Sequence, residues 1–194
     1  MAALFLEIND NQRRVPSSLR WDLVRLVRSE DQSTAMTADI VYELATRPES
    51  PFNSVGIDLT GEKPSLTIKQ GSLAPEIKKL VSKHLKKTGA EFEDYLALLI
   101  RFFVAIRSLD PEGWGNSSST FFKARVLRAL LRVLSDMLSK TAINGLTTER
   151  IREQLARIDK DTLSDSEVRR MQGSAGVQDL YTLMHKQVFG SAGA

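Results

Sequence analysis

The 194-residue sequence contains no cysteine and only two histidines, His84 and His185. Disulfide bonds are therefore excluded, and zinc and iron–sulfur sites lose their most common ligand. No His-x-x-x-His motif and no helix with paired acidic residues replaces them. The two histidines lie on different predicted helices and have no neighbouring pattern of acid and nucleophile. The sequence thus predicts no metal site and no catalytic residues, and it agrees with a reducing compartment.

Long hydrophobic runs are also absent. The most apolar stretch, residues 95–106, is shorter than the roughly 20 residues that cross a bilayer, and it contains Arg101. The first ten residues lack the basic start and the long apolar run of a signal peptide. We therefore expect a cytoplasmic protein without a membrane partner.

Neither sign of charge dominates the sequence. Lysine and arginine number 27 against 24 acidic residues, which gives a net charge of +3. This small excess permits an anionic partner without requiring one. The hydrophobic fraction of 42% is typical of folded proteins, and the length suits one domain covering residues 1–194.

Apolar residues at three- and four-residue steps predict a mainly α fold of about seven helices. The expected helices cover roughly residues 17–28, 37–46, 72–88, 92–109, 120–140, 148–158 and 177–189. The β contribution, which makes the class α+β, is a small hairpin and a short N-terminal strand at residues 4–8. The hairpin is predicted because residues 55–59 and 65–68 alternate at period two around a Thr-Gly-Glu-Lys-Pro turn.

Two polar clusters are candidate binding sites. The first precedes the first helix, where amide and guanidinium groups favour phosphate binding, although a strand–helix turn would use the same residues to satisfy its backbone. It contains Glu7, Asn9, Asn11, Gln12 and Arg13. The second lies on the long helix, where basic residues at i, i+3 and i+7 share one face that would track DNA phosphates or form the solvated side of the helix. It contains Lys123, Arg125, Arg128 and Arg132. The lysines of residues 78–87 pose the same alternatives.

Residues 5–19, FLEINDNQRRVPSSL, resemble a segment of DGQHR-domain proteins, the family that includes the DndB-like proteins. The similarity continues at residues 50–52, 59–63 and 102–106, then at Pro111 and Trp114, and at residues 173–180. Together these segments cover most of the chain. By this resemblance the chain corresponds to the C-terminal part of the family, with residues 1–16 a strand and turn left from a preceding domain of the ParB/sulfiredoxin type.

The resemblance implies roles in phosphorothioate DNA modification, in regulation of transcription of the modification genes and in anti-phage defence. It also implies that Glu7, Asn9, Asn11, Gln12 and Arg13 approach nucleotide phosphates. The Asp-Gly-Gln-His-Arg pentapeptide is absent. We therefore expect a truncated member, an alternative start or one half of a split gene, and no cofactor unless a separate N-terminal half supplies a nucleotide site.

Three functions follow as hypotheses. The first is a DNA-binding or regulatory protein with DNA as its partner, together with a protein of the same modification or defence system. The second is a ParB-like nucleotide hydrolase or nuclease component that requires the separate N-terminal half. The third is a protein–protein adaptor that uses exposed apolar helix faces. The oligomeric state stays open.

Overall fold

The computed structural model describes residues 16–27, 31–63, 65–66, 68–116, 118–163, 165–171 and 173–190, without the side chains of residues 165, 167 and 169. Helices dominate this part of the chain, as the sequence predicts. They are α1 (Ser17–Val27), α2 (Gln32–Thr46), α3 (Gln70–Thr88), α4 (Phe92–Leu109), α5 (Ala124–Lys140), α6 (Thr148–Leu155), α7 (Asp165–Arg170) and α8 (Gly173–Phe189), with 3-10 turns at Ile143–Gly145 and Asp161–Leu163.

Helix α4 has the predicted bounds, and its start is specified locally. At its start the carboxylate of Asp94 accepts a hydrogen bond from the backbone N–H of Glu91 at 2.9 Å, which satisfies a donor that the helix leaves unbonded. Just before it, Gly89 ends α3 in the left-handed conformation with φ 60°, which glycine adopts without steric cost. These two signals together define where α3 ends and α4 begins.

Helix α2 begins at Gln32, five residues before the start predicted at Thr37, which the sequence indicates as a cap. The side chain of Asp31 caps it and accepts from the backbone N–H of Ser33 at 3.2 Å. Thr37 lies inside the helix, where its Oγ1 donates to the carbonyl oxygen of Ser33 at 2.7 Å. The predicted start was wrong because a threonine that bonds back to the preceding turn has the same sequence signature as one that caps.

Helix α5 begins at Ala124 and not at residue 120, the start predicted from the serines and threonine of residues 116–120, which are typical of helix caps. Ser119 in that segment donates from Oγ to the carboxylate of Asp110 and accepts from the backbone N–H of Phe122 at 3.1 Å. These bonds hold residues 119–122 in a loop. For α6, the sequence offers Thr147 or Thr148 as the cap, and the structure selects Thr147, whose hydroxyl accepts from the N–H of Arg150 at 3.2 Å.

The predicted hairpin is wrong, because the described residues contain no β-strand. In its place is one isolated parallel bridge between Asp58 and Lys69, with the N–H of Asp58 donating to the carbonyl of Ile68 at 2.9 Å. The buried carboxylate of Asp58 accepts from the N–H of Gly61 at 2.7 Å and thereby closes a tight turn. The alternation that predicts strands instead reflects Ile57 and Ile68, which a loop buries in the core. The predicted strand at residues 4–8 lies outside the described residues.

The helices pack around one hydrophobic cluster. Helix α3 contacts α5 on one side and α1 and α2 on another, α8 packs on α5, and α4 packs on α2 and α6. Helix α5 therefore lies between α3 and α8, and any side chain at its flanks meets a neighbouring helix. No described helix has both the length and the apolar character needed to cross a membrane.

Candidate functional site

A charged cleft of about 210 Å³ lies where α3, α5 and α8 meet. Its floor contains Leu80 and Leu131, and its polar groups are Glu76, Lys79 and Lys83 of α3, Arg132 and Asp136 of α5, and Tyr181 of α8. Three helices thus bring cations, carboxylates and a phenol together in one place.

Glu76 is the most buried charge of the cleft, with a side chain 1% exposed. Its Oε2 accepts from Nε of Arg132 at 3.1 Å and its Oε1 accepts from Nη2 of the same residue at 3.0 Å, which is a bidentate pair. Arg128 at 3.3 Å and Lys79 at 3.1 Å complete the contacts of the carboxylate. Burial alone would raise the pKa of Glu76, but the bonds from Arg132 and Lys79 outweigh it and hold that pKa below its ordinary value.

Asp136 forms the second centre of the cleft. Its Oδ2 accepts from the hydroxyl of Tyr181 at 2.7 Å, and its Oδ1 lies 3.4 Å from Nζ of Lys83. Nε2 of His185 is 3.8 Å from the same carboxylate. Burial, together with the hydrogen bond that the hydroxyl donates to Asp136, raises the pKa of Tyr181 to about 12. Tyr181 therefore stays protonated at neutral pH and acts here as a donor that orients Asp136.

His84 and Ser135 join α3 to α5 just below the cleft. Nε2 of His84 lies 3.0 Å from Oγ of Ser135, and both residues are buried. Burial, and after it the positive charge of Lys83, lowers the pKa of His84. A serine nucleophile would need its histidine oriented by a third group, and no carboxylate of the described residues hydrogen-bonds to His84. The pair therefore serves packing between the two helices.

A row of four exposed or half-exposed lysines follows the α3–α5 boundary past the cleft. Lys79, Lys83 and Lys87 recur every four residues on one side of α3, and Lys87 and Lys140 line a groove of about 340 Å³ where the two helices end. Nζ of Lys140 lies 3.9 Å above the ring of Phe189. We refer to Lys79, Lys83, Lys87 and Lys140 as the lysine row.

The net positive charge of the chain is concentrated around this row. Helix α3 carries five lysines and one glutamate, and α5 carries three arginines and one lysine against one aspartate. These two packed helices alone hold an excess of seven positive charges, whereas the whole chain holds three. The remainder of the chain is therefore net negative. Not all of the excess faces the α3–α5 boundary, since Nζ of Lys78 lies 3.0 Å from the carboxylate of Asp31 on the side of α2.

The arginine stripe predicted for DNA contact divides between two places in the structure. Arg128 and Arg132 meet at Glu76, whereas Nη1 of Arg125 donates to the carbonyl oxygens of Val168 and Met171, each at 2.7 Å. Lys123 precedes α5 as its N-cap residue. The arginines thus hydrogen-bond to neighbouring parts of the fold, and their contact with DNA stays a prediction.

The other predicted cluster lies outside the described residues. It comprises Glu7, Asn9, Asn11, Gln12 and Arg13. Within the described residues, no group of three or more histidine or acidic side chains is placed to hold a metal ion.

Sequence reasoning missed Glu76, Asp136 and Tyr181 as members of a site. Glu76 did carry a signal, because it lies three residues after Leu73 and four before Leu80, on the buried face of α3. A carboxylate on an apolar face requires a cationic partner. The arginines of α5 were the available candidates, but nothing in the sequence indicates that α3 and α5 lie side by side.

No family model, curated protein or solved structure matches the chain. The resemblance to DGQHR-domain proteins therefore stays a prediction.

Proposed function

We propose that the chain is a DNA-binding module that contacts backbone phosphates through the lysine row. The observation that carries this proposal is the excess of positive charge on α3 and α5, together with the exposure of all four lysines of the row. Lysine is a point charge on a flexible stem and suits contacts with phosphates that do not require a fixed geometry.

The spacing of the row agrees with a nucleic-acid strand. An α-helix rises about 1.5 Å per residue, so Lys79, Lys83 and Lys87 together span about 12 Å. One strand of duplex DNA carries a phosphate about every 3.4 Å along its axis, and a row of this length faces about three of them. Lys140 of α5 extends the charge beyond the end of α3.

The resemblance to DGQHR-domain proteins supports a more specific role, in which DNA binding regulates a modification or defence system. The hydrolase alternative depends on residues outside the described part of the chain and on a separate N-terminal half. The adaptor alternative requires an exposed apolar face, and Leu26 is the one large hydrophobic side chain that is exposed among the described residues. Of the three hypotheses, we therefore propose DNA binding.

Fluorescence anisotropy with a labelled duplex, titrated across a series of salt concentrations, tests the proposal. The informative variant is Lys87→Gln/Lys140→Gln, which removes two charges of the row outside the cleft. Each lysine that neutralises a phosphate contributes about 0.9 to the slope of log K against log salt, so we expect the slope to fall by about 2.

The matched control is Arg107→Gln/Arg152→Gln, which removes two exposed cations from α4 and α6. It changes the net charge by the same amount and should retain most of the salt slope. Equal losses in both variants would indicate binding through net charge alone and would overturn the assignment to the lysine row. The absence of wild-type binding at low salt would overturn DNA binding altogether.

A further inference from the structure

The charges that meet in the cleft do not balance. Four cationic groups, Lys79, Lys83, Arg128 and Arg132, contact two carboxylates, Glu76 and Asp136. Two positive charges are therefore in excess at the point where three helices meet. Tyr181 adds no charge, and His185 adds another positive charge only when it is protonated.

The cations also retain donors that the cleft can offer to a ligand. A lysine ammonium has three N–H donors, and Lys79 and Lys83 each use one on a carboxylate of the cleft. Their side chains are 64% and 48% exposed, so the remaining donors are accessible from solvent. The carboxylates that would repel an anion are engaged, since Glu76 is held by Arg132 and Asp136 by Tyr181.

The size of the cleft restricts what it can hold. Pockets for drug-sized ligands measure about 300–1,000 Å³, and this cleft measures about 210 Å³. It therefore suits a single phosphoryl group with part of its sugar. A phosphate monoester carries a charge of about −1.5 to −2 at pH 7, whereas a backbone diester carries about −1. The monoester matches the excess of two positive charges more closely.

We propose that the cleft between α3, α5 and α8 binds a phosphate monoester dianion through Lys79 and Lys83. This inference deepens the proposed DNA binding, because the monoester of a DNA strand is its terminal phosphate. Free phosphate and a nucleoside monophosphate present the same chemistry. The cleft would then bind the terminal phosphate of the duplex, and the lysine row would contact the adjacent backbone phosphates.

Binding is measured for two duplexes that differ only in the presence of a 5′-phosphate. Inorganic phosphate and a nucleoside 5′-monophosphate are titrated separately, so that a DNA end can be distinguished from a free anion. For the wild type we expect about tenfold tighter binding of the phosphorylated duplex, the gain of one or two charge-assisted hydrogen bonds. Inorganic phosphate should raise the Tm at constant ionic strength and compete with this preference. Lys79→Gln/Lys83→Gln should abolish both effects, whereas Lys87→Gln/Lys140→Gln should weaken duplex binding and keep the preference.

The pH series uses sulfate as a reference, because any change in the charge of the cleft itself affects the binding of both dianions. The second proton of a phosphate monoester dissociates near pH 6, while sulfate stays a dianion. The ratio of nucleoside 5′-monophosphate to sulfate affinity should therefore rise by up to about tenfold between pH 5 and pH 7. A flat ratio would overturn the preference for a dianion.

The outcomes separate the two proposals. If the duplexes bind equally and phosphate has no effect on Tm, the cleft inference fails and DNA binding stands. If phosphate or the nucleotide binds and neither duplex does, the cleft inference stands for a small ligand and DNA binding fails. Loss of phosphate binding in both lysine variants alike would also overturn the cleft as the site.

Discussion

The arginines of α5 and the lysines at the ends of α3 and α5 have the same charge but different positions in the fold. Arg132 and Arg125 reach carboxylate and carbonyl oxygens of neighbouring elements, whereas Lys87 and Lys140 extend from the ends of their helices towards solvent. A planar guanidinium can satisfy two acceptors in a fixed geometry, while an ammonium loses less by staying hydrated. We therefore expect these arginines to contribute far more to the free energy of unfolding than the exposed lysines do.

The largest effect should come from Arg132→Met. This change removes the bidentate partner of Glu76 and leaves a buried carboxylate with weaker contacts, and we expect the free energy of unfolding to fall by about 3 kcal/mol. Urea unfolding at pH 7 measures this loss, with Arg107→Met as the exposed control.

The same variant should change the response to acid. The pKa of Glu76 is lower in the folded state than its ordinary value of 4.5. Its pairing therefore stabilises the wild type above pH 4.5, and this stability is lost as the pH falls towards the folded pKa. Arg132→Met should lose less stability over that acid range. Parallel curves for both proteins would contradict the role given to the pair.

A smaller loss is expected for Arg125→Met. Without the guanidinium, the carbonyl oxygens of Val168 and Met171 lose a charged donor, which costs about 2 kcal/mol. Because these acceptors lie at the end of α7, hydrogen exchange should accelerate first in α7 and the start of α8. Uniform acceleration across α3 and α4 would show that Arg125 does not act locally.

His84 should make stability depend on pH in the opposite sense to a histidine that gains an acidic partner. Burial lowers its pKa below the ordinary 6.5, so the unfolded chain binds the proton more readily. The contribution of neutral His84 to the free energy of unfolding should be fully present above pH 6.5. It should decrease as the pH falls from 6.5 to the pKa of the folded state, and it should not change further below that pKa. His84→Gln should remove this dependence and His185→Gln should not, as followed by thermal unfolding from pH 7.5 to 5.

The smallest effect should come from Lys87→Gln/Lys140→Gln. Exposed lysines contribute little, so the free energy of unfolding should stay within about 0.5 kcal/mol of the wild type even though Lys140 lies over the ring of Phe189. Chemical denaturation under the same conditions as for Arg132→Met provides the comparison. A loss as large as that of an arginine variant would remove the distinction between the two groups.

Much of the helical fold could be predicted from the sequence, because its signals are local. The apolar spacing and the carboxylate of Asp94 specify α4, and Thr147 specifies the start of α6. The hairpin prediction failed for a reason that is not local. Period-two alternation cannot distinguish a strand from a loop that buries Ile57 and Ile68 around the carboxylate of Asp58.

The site was harder to predict, since it depends on which helices are neighbours. The basic face of α5 was recognised, but its partners Glu76 and Tyr181 come from residues far away in the chain. The spacing of arginines gives the face of a helix and does not say whether that face meets solvent or another helix. A charged residue on the apolar face of another helix, such as Glu76, is the sequence signal that a basic face has a helix as its neighbour.

Phe52, Phe103 and Trp114 form an aromatic cluster in the core, and this cluster has a consequence for the order of folding. Phe52 packs against Phe103 with ring centroids 4.8 Å apart and against Trp114 at 5.3 Å, and Nε1 of Trp114 donates to the carbonyl of Pro51 at 2.9 Å across a separation of 63 residues. Closing a loop of that length costs chain entropy before any contact repays it. We expect α3 and α4 to form first and shorten the effective loop, so that docking of Phe52 is a late step that chiefly slows unfolding.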